Sequence, residues 1–429
     1  TGVRITISRH NQLEEIKTLV EAMEHHFPKA LEETHTNAER VFHAFKLEPR
    51  SRTMDKASVG LKVEVSESIE NVDPGEWDRY LGGQGVYDWH GLKFLEKVFQ
   101  GNARPEHNWR FRYVVIKDKS GVPILMAFFS LSLWKDDMLA EAKVSKVIEE
   151  ERRNDPYHLS SEVLSMGCLF TEGTHMYCDS SHEWAGRAQH SLLEWMEAQE
   201  RTMGAKMTVL RDFPKEIPWN DTLYGHGFLR VRMPSSCTVE LKGMESIETY
   251  VEGLSARNRR HFRKDIRPFL GRVRKQVVQK LLPSHLVQVK KLFAEVQARN
   301  LGLNIFSFPD ALFGQMNEDP LWEFIMLSPL DETDRVVGVM FCYNNTGKVY
   351  VPAFVGMDYS TLEEFATYRQ LLYRTIERAI ERGFSKIDFG MTAAFEKRKL
   401  GATVQDRYAY LQTDDNFILE LLGVMEGQH

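Results

Sequence analysis

Asp388 closes the apolar run Lys386-Ile-Asp-Phe-Gly390, where a strand would leave a sheet, the usual place for a site in an α/β fold. A carboxylate there could accept the proton of an attacking ammonium if its surroundings raise its pKa, or it could simply cap the strand end. Lys397, in Phe395-Glu-Lys-Arg-Lys399-Leu-Gly401, could stabilise an oxyanion or bind phosphate, or be one solvated lysine of a basic run. Glu162, at the start of a predicted strand, is a further candidate base. The densest charge lies at 255–275, where Arg257, Arg259, Arg260, Arg263, Lys264, Arg267, Arg272, Arg274 and Lys275 face one acid, Asp265. On a helix, Arg260, Arg263, Lys264 and Arg267 would share a face. Such a face suits an anionic partner (nucleotide phosphates, a carrier-protein surface, tRNA or anionic lipid) or is a solvated helix face. His175, His182, His190 and His226 crowd one region without metal-ligand spacing, so structural roles fit them better.

The elements that must position these residues repeat. Leu192-Leu193, ten residues, Gly204 and a strand from Lys206 are matched by Leu371-Leu372, ten residues, Gly383 and a strand from Lys386. Each reads as an amphipathic helix, a glycine stop and a buried strand. A second glycine-ended motif follows each, Leu223-Tyr224-Gly-His-Gly227-Phe228 and 395–401. The matched spacing predicts a duplicated α/β unit. The first copy takes strands at 61–65, 111–116, 124–133 and 162–170, helices near 138–153 and 185–203, and a strand at 206–211. The second takes helix 283–299, strands near 335–343 and 347–355, helix 362–382 and strand 385–389.

The 429 residues predict two to three domains, and 42% hydrophobic with 27% charged residues is ordinary for a globular chain. A net charge of −6 gives no overall pull towards nucleic acid. Cys168, Cys178, Cys237 and Cys342 are scattered, which argues against a zinc site or disulfide framework and fits a reducing cytoplasm. No apolar run approaches the roughly 18 residues of a membrane span, and no signal peptide is evident. The first residue is Thr, which suggests a processed chain or a fragment of a longer one. Residues 1–48 read as the end of another domain, with a strand at 3–8 and a helix capped by Asn11; 49–60 is a polar linker.

The segment Gly2-Val-Arg4-Ile through Met23 resembles the last strand and helix of a fold-type I pyridoxal-phosphate enzyme, most like the α-oxoamine synthases. The resemblance implies that Arg4 would bind a substrate carboxylate. The cofactor lysine and large domain are absent, so this chain alone would not bind pyridoxal phosphate. The strand–helix–strand unit with its aromatic-x-x-Gly-Phe sequel is similar to the second half of a GNAT acyltransferase. In that superfamily a splayed strand pair admits the pantetheine arm of acyl-coenzyme A, and the helix N-terminus receives its pyrophosphate, as unpaired N–H groups and the helix dipole favour. By this likeness Gly186, Arg187 and Ala188 would hold a phosphate, the glycine allowing close approach and the arginine offering a fork. The second copy has Phe365-Ala-Thr-Tyr-Arg369 there, without glycine, so the first is the better phosphate site. Tyr224 matches the phenol that protonates the leaving thiolate, or packs in a turn.

Residues 250–402 resemble more specifically the Fem-like branch, tandem GNAT-like proteins that transfer acyl or aminoacyl groups to amines. The matching motifs are Leu254-Ser-Ala-Arg-Asn-Arg259-Arg260-His-Phe-Arg263-Lys264, Arg382-Gly383 to Asp388-Phe-Gly390, and Glu396-Lys397 to Gly401. The aromatic usual before the lysine is displaced to Phe395, and Leu400 replaces the bulky aromatic before the last glycine.

The resemblance therefore implies an α/β (α+β) chain of two tandem GNAT-like domains with mixed sheets, 61–243 and 244–429, after a short βα segment. It would move an acyl group from acyl-coenzyme A or acyl carrier protein to a primary amine without a metal. Direct attack needs no covalent enzyme intermediate, in keeping with the lack of an evident Ser-His-Asp arrangement. An upstream pyridoxal-phosphate synthase domain would make the amine a sphingoid amino ketone, and a lipid acceptor would bring a peripheral membrane contact. The alternatives are an aminoacyl-tRNA-dependent Fem-type transferase and an inactive docking module for the synthase. Tyr350 and Tyr359 frame the second splayed strand and would line an acyl channel or pack in the core. The first copy keeps Gly186-Arg187 and Tyr224 and the second keeps Asp388 and Lys397, which predicts one composite site.

Overall fold

The computed structural model describes residues 60–300 and 303–413, and before them only the helical positions Lys17, Thr18, Glu21, Ala22 and His25. Arg4, the strand at 3–8, the synthase-like segment as a unit and the linker before Gly60 lie outside the described residues.

Twelve strands hydrogen-bond along one path, and its order explains how two distant segments of chain reach one place. From one edge run β1 (Lys62–Ser66), β2 (Arg110–Lys117), β3 (Pro123–Lys135) and β4 (Ser160–Met166). From the other run β8 (Val273–Val278), β9 (Trp322–Pro329), β10 (Gly338–Asn344) and β11 (Val349–Met357). These neighbours are antiparallel. Next to β4 lies β6 (Met207–Phe213) and next to β11 lies β12 (Lys386–Gly390), both parallel pairs reached through a helix. The two centre strands are β13 (Thr403–Thr413), beside β6, and β7 (Leu229–Glu240), beside β12. The order thus reads the same from either edge, and each half's last strand lies beside the other half's parallel pair. A short β5 (Met176–Cys178) pairs with β3 off this path.

The elements form for local reasons that the sequence carries. β3 is buried almost throughout, as an apolar strand covered on both faces must be. The Ala185–Met203 helix buries Leu192, Leu193 and Met196, and Gly204 ends it at φ 74°, the left-handed stop that glycine supplies. The Thr367–Glu381 helix buries Leu371, Leu372 and Ile376 and is followed by Gly383 at φ 71°. Strands β7, β8, β9 and β13 were not among the expected elements. The expected helix 362–382 is broken at Ala366, which takes φ 49° between the Leu362–Phe365 and Thr367–Glu381 helices. The basic stretch is α-helical only over Ala256–Asp265; Arg267 begins a separate 3-10 turn, Arg267–Phe269, and Arg274 and Lys275 lie on β8.

The halves are joined by more than strand pairing. One core cluster combines Trp77, Phe94 and Phe99 with Phe293, Trp322 and Phe341. Asp88 accepts the Tyr343 hydroxyl at 2.7 Å, and the Asn345 amide donates to the carbonyls of Gly82 and Gly85 at 2.8 and 2.7 Å. Burying each large aromatic is worth about 1.5–3 kcal/mol. Among the described residues no helix is long and apolar enough to cross a membrane.

Candidate active site

β11 and β12 pair over only Val349↔Lys386 and Tyr350↔Ile387, after which they part. A cleft of about 220 Å³ opens beside that gap, with Val351, Ala353 and Val355 of β11 on one side and Asp388, Phe389 and Gly390 on the other. Tyr368, in the first turn of the Thr367–Glu381 helix, also lines it. A second, apolar slot of about 90 Å³ lies against the opposite half's sheet, and a polar cavity of about 310 Å³ is lined by Tyr87, Asp212, Thr238 and Arg407. Glu172 and Met391 line all three, and Asp388 lines the cleft and the polar cavity.

Glu172 follows β4 in the first half, and Asp388 is on β12 in the second. Both are half-buried by surface area, with the surface they keep lining cavities. The main-chain N–H of Met391 donates to Glu172, and that of Gly390 donates to Asp388 at 2.9 Å. Burial and the Asp388 charge push the Glu172 carboxyl up to about 7, and burial raises Asp388 as well. A side chain at Gly390 would collide with the Glu172 carboxylate, and φ there is 65°, so glycine is required on two counts.

Each carboxylate loop is pinned by a buried cation. Arg211 on β6 donates to the carbonyls of Cys168 and Thr171 at 2.9 and 2.5 Å and to Asp212 at 2.9 Å, fixing the turn that presents Glu172. The Gly173 N–H in turn donates to Asp212, a non-glycine residue held at φ 67°. Lys397, buried in the Ala394–Lys399 helix, donates to the carbonyls of Phe389 and Met391 at 2.6 Å each. It steadies a turn in which Thr392 and Ala393 take φ of 64° and 46°, conformations that persist only where the surroundings enforce them. Burial pushes its ammonium down. Lys397 therefore lines the cleft while its N–H groups are committed to protein carbonyls.

The structure brings Asp388 and Lys397 together and places the other expected residues elsewhere. Tyr224 is buried near Tyr410 in the first-half core and lines none of these three cavities. Gly186, Arg187 and Ala188 begin the Ala185–Met203 helix, also away from them, and Ala188 is fully buried. Arg259 turns back to the carbonyls of Glu252 and Leu254, capping the preceding Ile247–Gly253 helix. Arg260, Arg263 and Lys264 are exposed and line no cavity named above. Glu162 forms an exposed pair with Arg110 at 3.0 Å. Tyr350 donates to Glu323 at 2.6 Å, which Arg378 also holds, and Tyr359 stacks under Arg299; neither lines the cleft. His226 bridges His190 and Glu197, while His175 is fully buried, 3.5 Å from Asp212, with burial and Arg211 holding it well below the usual imidazole range. Sequence reasoning missed Glu172, Asp212, Arg211 and Tyr87. The one local signal was Thr171-Glu-Gly-Thr174, an acid and a glycine directly after a predicted strand.

Residues 256–398, which carry Asp388 and Lys397, match the family model described as the acetyltransferase (GNAT) domain. That match covers a third of the chain. No curated protein sequence matches the chain. Among solved structures it is similar to L-PGS from Bacillus licheniformis, at 12% identity and a TM-score of 0.41 over 83% of this chain and 97% of that one. It is similar to a GCN5-related N-acetyltransferase from Sphaerobacter thermophilus, at 11% identity and 0.38 over 82% and 96%. A third is Saccharomyces cerevisiae N-myristoyltransferase with bound myristoyl-CoA, at 11% identity and 0.47 over 85% and 83%.

Proposed function

We propose that this chain is an N-acyltransferase that moves an acyl group from a thioester, acyl-coenzyme A or acyl carrier protein, to a primary amine. The observation that carries this reading is the Glu172–Asp388 pair, one carboxylate from each half, both lining the cleft and the polar cavity, with Glu172 on the apolar slot as well. The pantetheine arm would follow the unpaired edge of β11, with its phosphates towards the N-terminus of the Thr367–Glu381 helix. The amine would enter through the polar cavity as an ammonium, drawn by Asp212, Asp388 and Glu172. Glu172 takes one proton, and its carboxyl near 7 suits that task. The neutral nitrogen attacks the thioester carbonyl, the C–N bond forms and the C–S bond breaks. Of the two protons left on nitrogen, one goes to the leaving thiolate and one stays on the amide, and Glu172 returns its own to solvent. Asp388 keeps Glu172 basic, while Arg211 and Lys397 hold the two loops in register.

In this reading the palindromic strand order is the trace of a Fem-like duplication whose halves exchanged their last strands. The acceptor is a sphingoid amine or amino ketone, the product of the synthase that the segment around Arg4 resembles, with that synthase as the upstream partner. Incubation with acyl-coenzyme A and sphinganine or its 3-keto form should release free thiol only when both are present. Absence of turnover with any chain length or carrier donor overturns the proposal.

The exposed cations Arg257, Arg260, Arg263 and Lys264 favour a second reading, aminoacyl-tRNA-dependent transfer. It requires tRNA binding that weakens steeply with salt. Arg260→Glu with Arg263→Glu would then flatten the log–log slope by about one per lost phosphate contact. Salt-independent or absent tRNA binding removes it.

A further inference from the structure

The apolar slot has no part in the chemistry above, yet Glu172 lines it too. Its floor is three adjacent central strands: Met207 and Val209 of β6, Ala409 and Leu411 of β13, Val231 and Met233 of β7. Leu169, Leu303, Ile305 and Met391 line the slot and the cleft alike, so the two spaces share walls beside Glu172. Trp134 and Leu139 line the slot and not the cleft. Four charged residues line it, Lys135, Asp136, Glu172 and Arg211; Lys135 is held by Glu149 and Asn304, and Arg211 by Asp212 and two carbonyls. The space therefore offers a ligand mostly hydrocarbon contact.

We infer that this slot holds the donor's acyl chain and sets its length. The inference rests on the thioester reading above. A pantetheine arm and its acyl chain run in opposite directions from the thioester carbon. With the arm along β11 and the carbonyl beside Glu172, the chain must continue past Met391, and the space that continues there is the slot. Register comparison of the halves supports this. Met207 and Lys386 occupy the same position in the two parallel strand pairs, which sets Val209 opposite Asp388. The half that lines the slot has an apolar side chain where the other has its acid. Burial of a chain here gains about 0.8 kcal/mol per methylene, so each carbon that fits raises affinity about fourfold, until the slot is filled.

Two measurements test this separately from turnover. A fatty acid brominated along its chain should quench Trp134 fluorescence, with the quench lost in Trp134→Phe and in Ala409→Phe, which fills the slot. On acyl-coenzyme A donors of graded length, Ala409→Phe should shift the preferred chain shorter, with at least a tenfold fall in the long-to-short kcat/KM ratio. Met233→Ala, which enlarges the slot, should shift it longer and keeps the test alive if Ala409→Phe does not fold. Quenching and chain preference unchanged in folded Ala409→Phe or Met233→Ala overturn the inference. Quenching abolished by Ala409→Phe in a chain that shows no acyl transfer supports the slot and sinks the transfer reading instead.

Discussion

The splayed strand pairs β4/β6 and β11/β12 occupy the same place in the two halves, and their linings differ at matched positions. In the first, pairing extends one residue further, through Ser165↔Val209. In the second, pairing stops at Tyr350↔Ile387, and Asp388 stands at the divergence. The short helices that follow differ in the same sense. The fourth residue of Asn220–Gly225 is Leu223, fully buried, whereas the fourth of Ala394–Lys399 is Lys397, holding three successive residues' carbonyls. At that position the first arrangement is stabilised by apolar burial. The second needs a desolvated ammonium and a left-handed turn, a costly arrangement that makes sense where a loop must present chemistry. Glu172 completes the contrast, since the half with the apolar gap lends its carboxylate to the other half's cleft.

The largest effect should come from Glu172→Gln. If Glu172 is the base, kcat falls roughly 10²- to 10⁴-fold, and the rise of kcat/KM through pH 7 disappears from the profile. A loss of that size in Asp388→Asn with Glu172→Gln near wild type would reverse the assignment between the halves. The same glutamate leaves a stability signature. Its folded carboxyl lies above its ordinary 4.5, so the stability it contributes is present in full below 4.5 and lost as pH rises through about 7. Urea midpoints should show that fall in wild type and not in Glu172→Gln.

Asp388→Asn should cost less, about tenfold in kcat/KM, the equivalent of one pKa unit. Removing a negative neighbour eases ionisation of Glu172, so the limb near 7 should move towards acid. A limb that stays in place would separate the two carboxylates electrostatically. Lys397→Met should lower stability by about 2–3 kcal/mol, the value of charge-assisted hydrogen bonds to carbonyls left without a donor. Denaturant midpoints measure it, and a stable but inactive variant would instead give Lys397 an oxyanion role. Tyr224→Phe should have the smallest effect, less than about twofold in kcat and within about 1 kcal/mol in stability. A kcat collapse there would bring the first half's motif back into the chemistry.

Helices were the most legible elements. Pro283–Arg299 and Ala185–Met203 were read to the residue because apolar spacing, a proline start and a glycine stop are local signals. β7 and β13 are each stabilised by the other across the chain; in β13 the run Gln405-Asp406-Arg407 also breaks the alternation, whereas Leu229-Arg-Val-Arg-Met233 of β7 does alternate and was a strand signal left unread. Asp388 was legible from its place at a strand end. Glu172 was not, because it lies 216 positions before Asp388 and nothing near it in sequence predicts that neighbour.

By itself the sequence determined the α/β character, the two helix–glycine–strand units and the presence of an acid and a lysine after the second of them. These follow from side-chain period, backbone freedom at glycine and capping, all settled within a few residues. Only the tertiary structure decided that each half's last strand lies beside the other half's parallel pair, and that Glu172 and Asp388 share one site. It also decided that Lys397 holds a loop. Those outcomes depend on long-range pairing and on the desolvation it imposes, which turns an ordinary glutamate into one that ionises near 7.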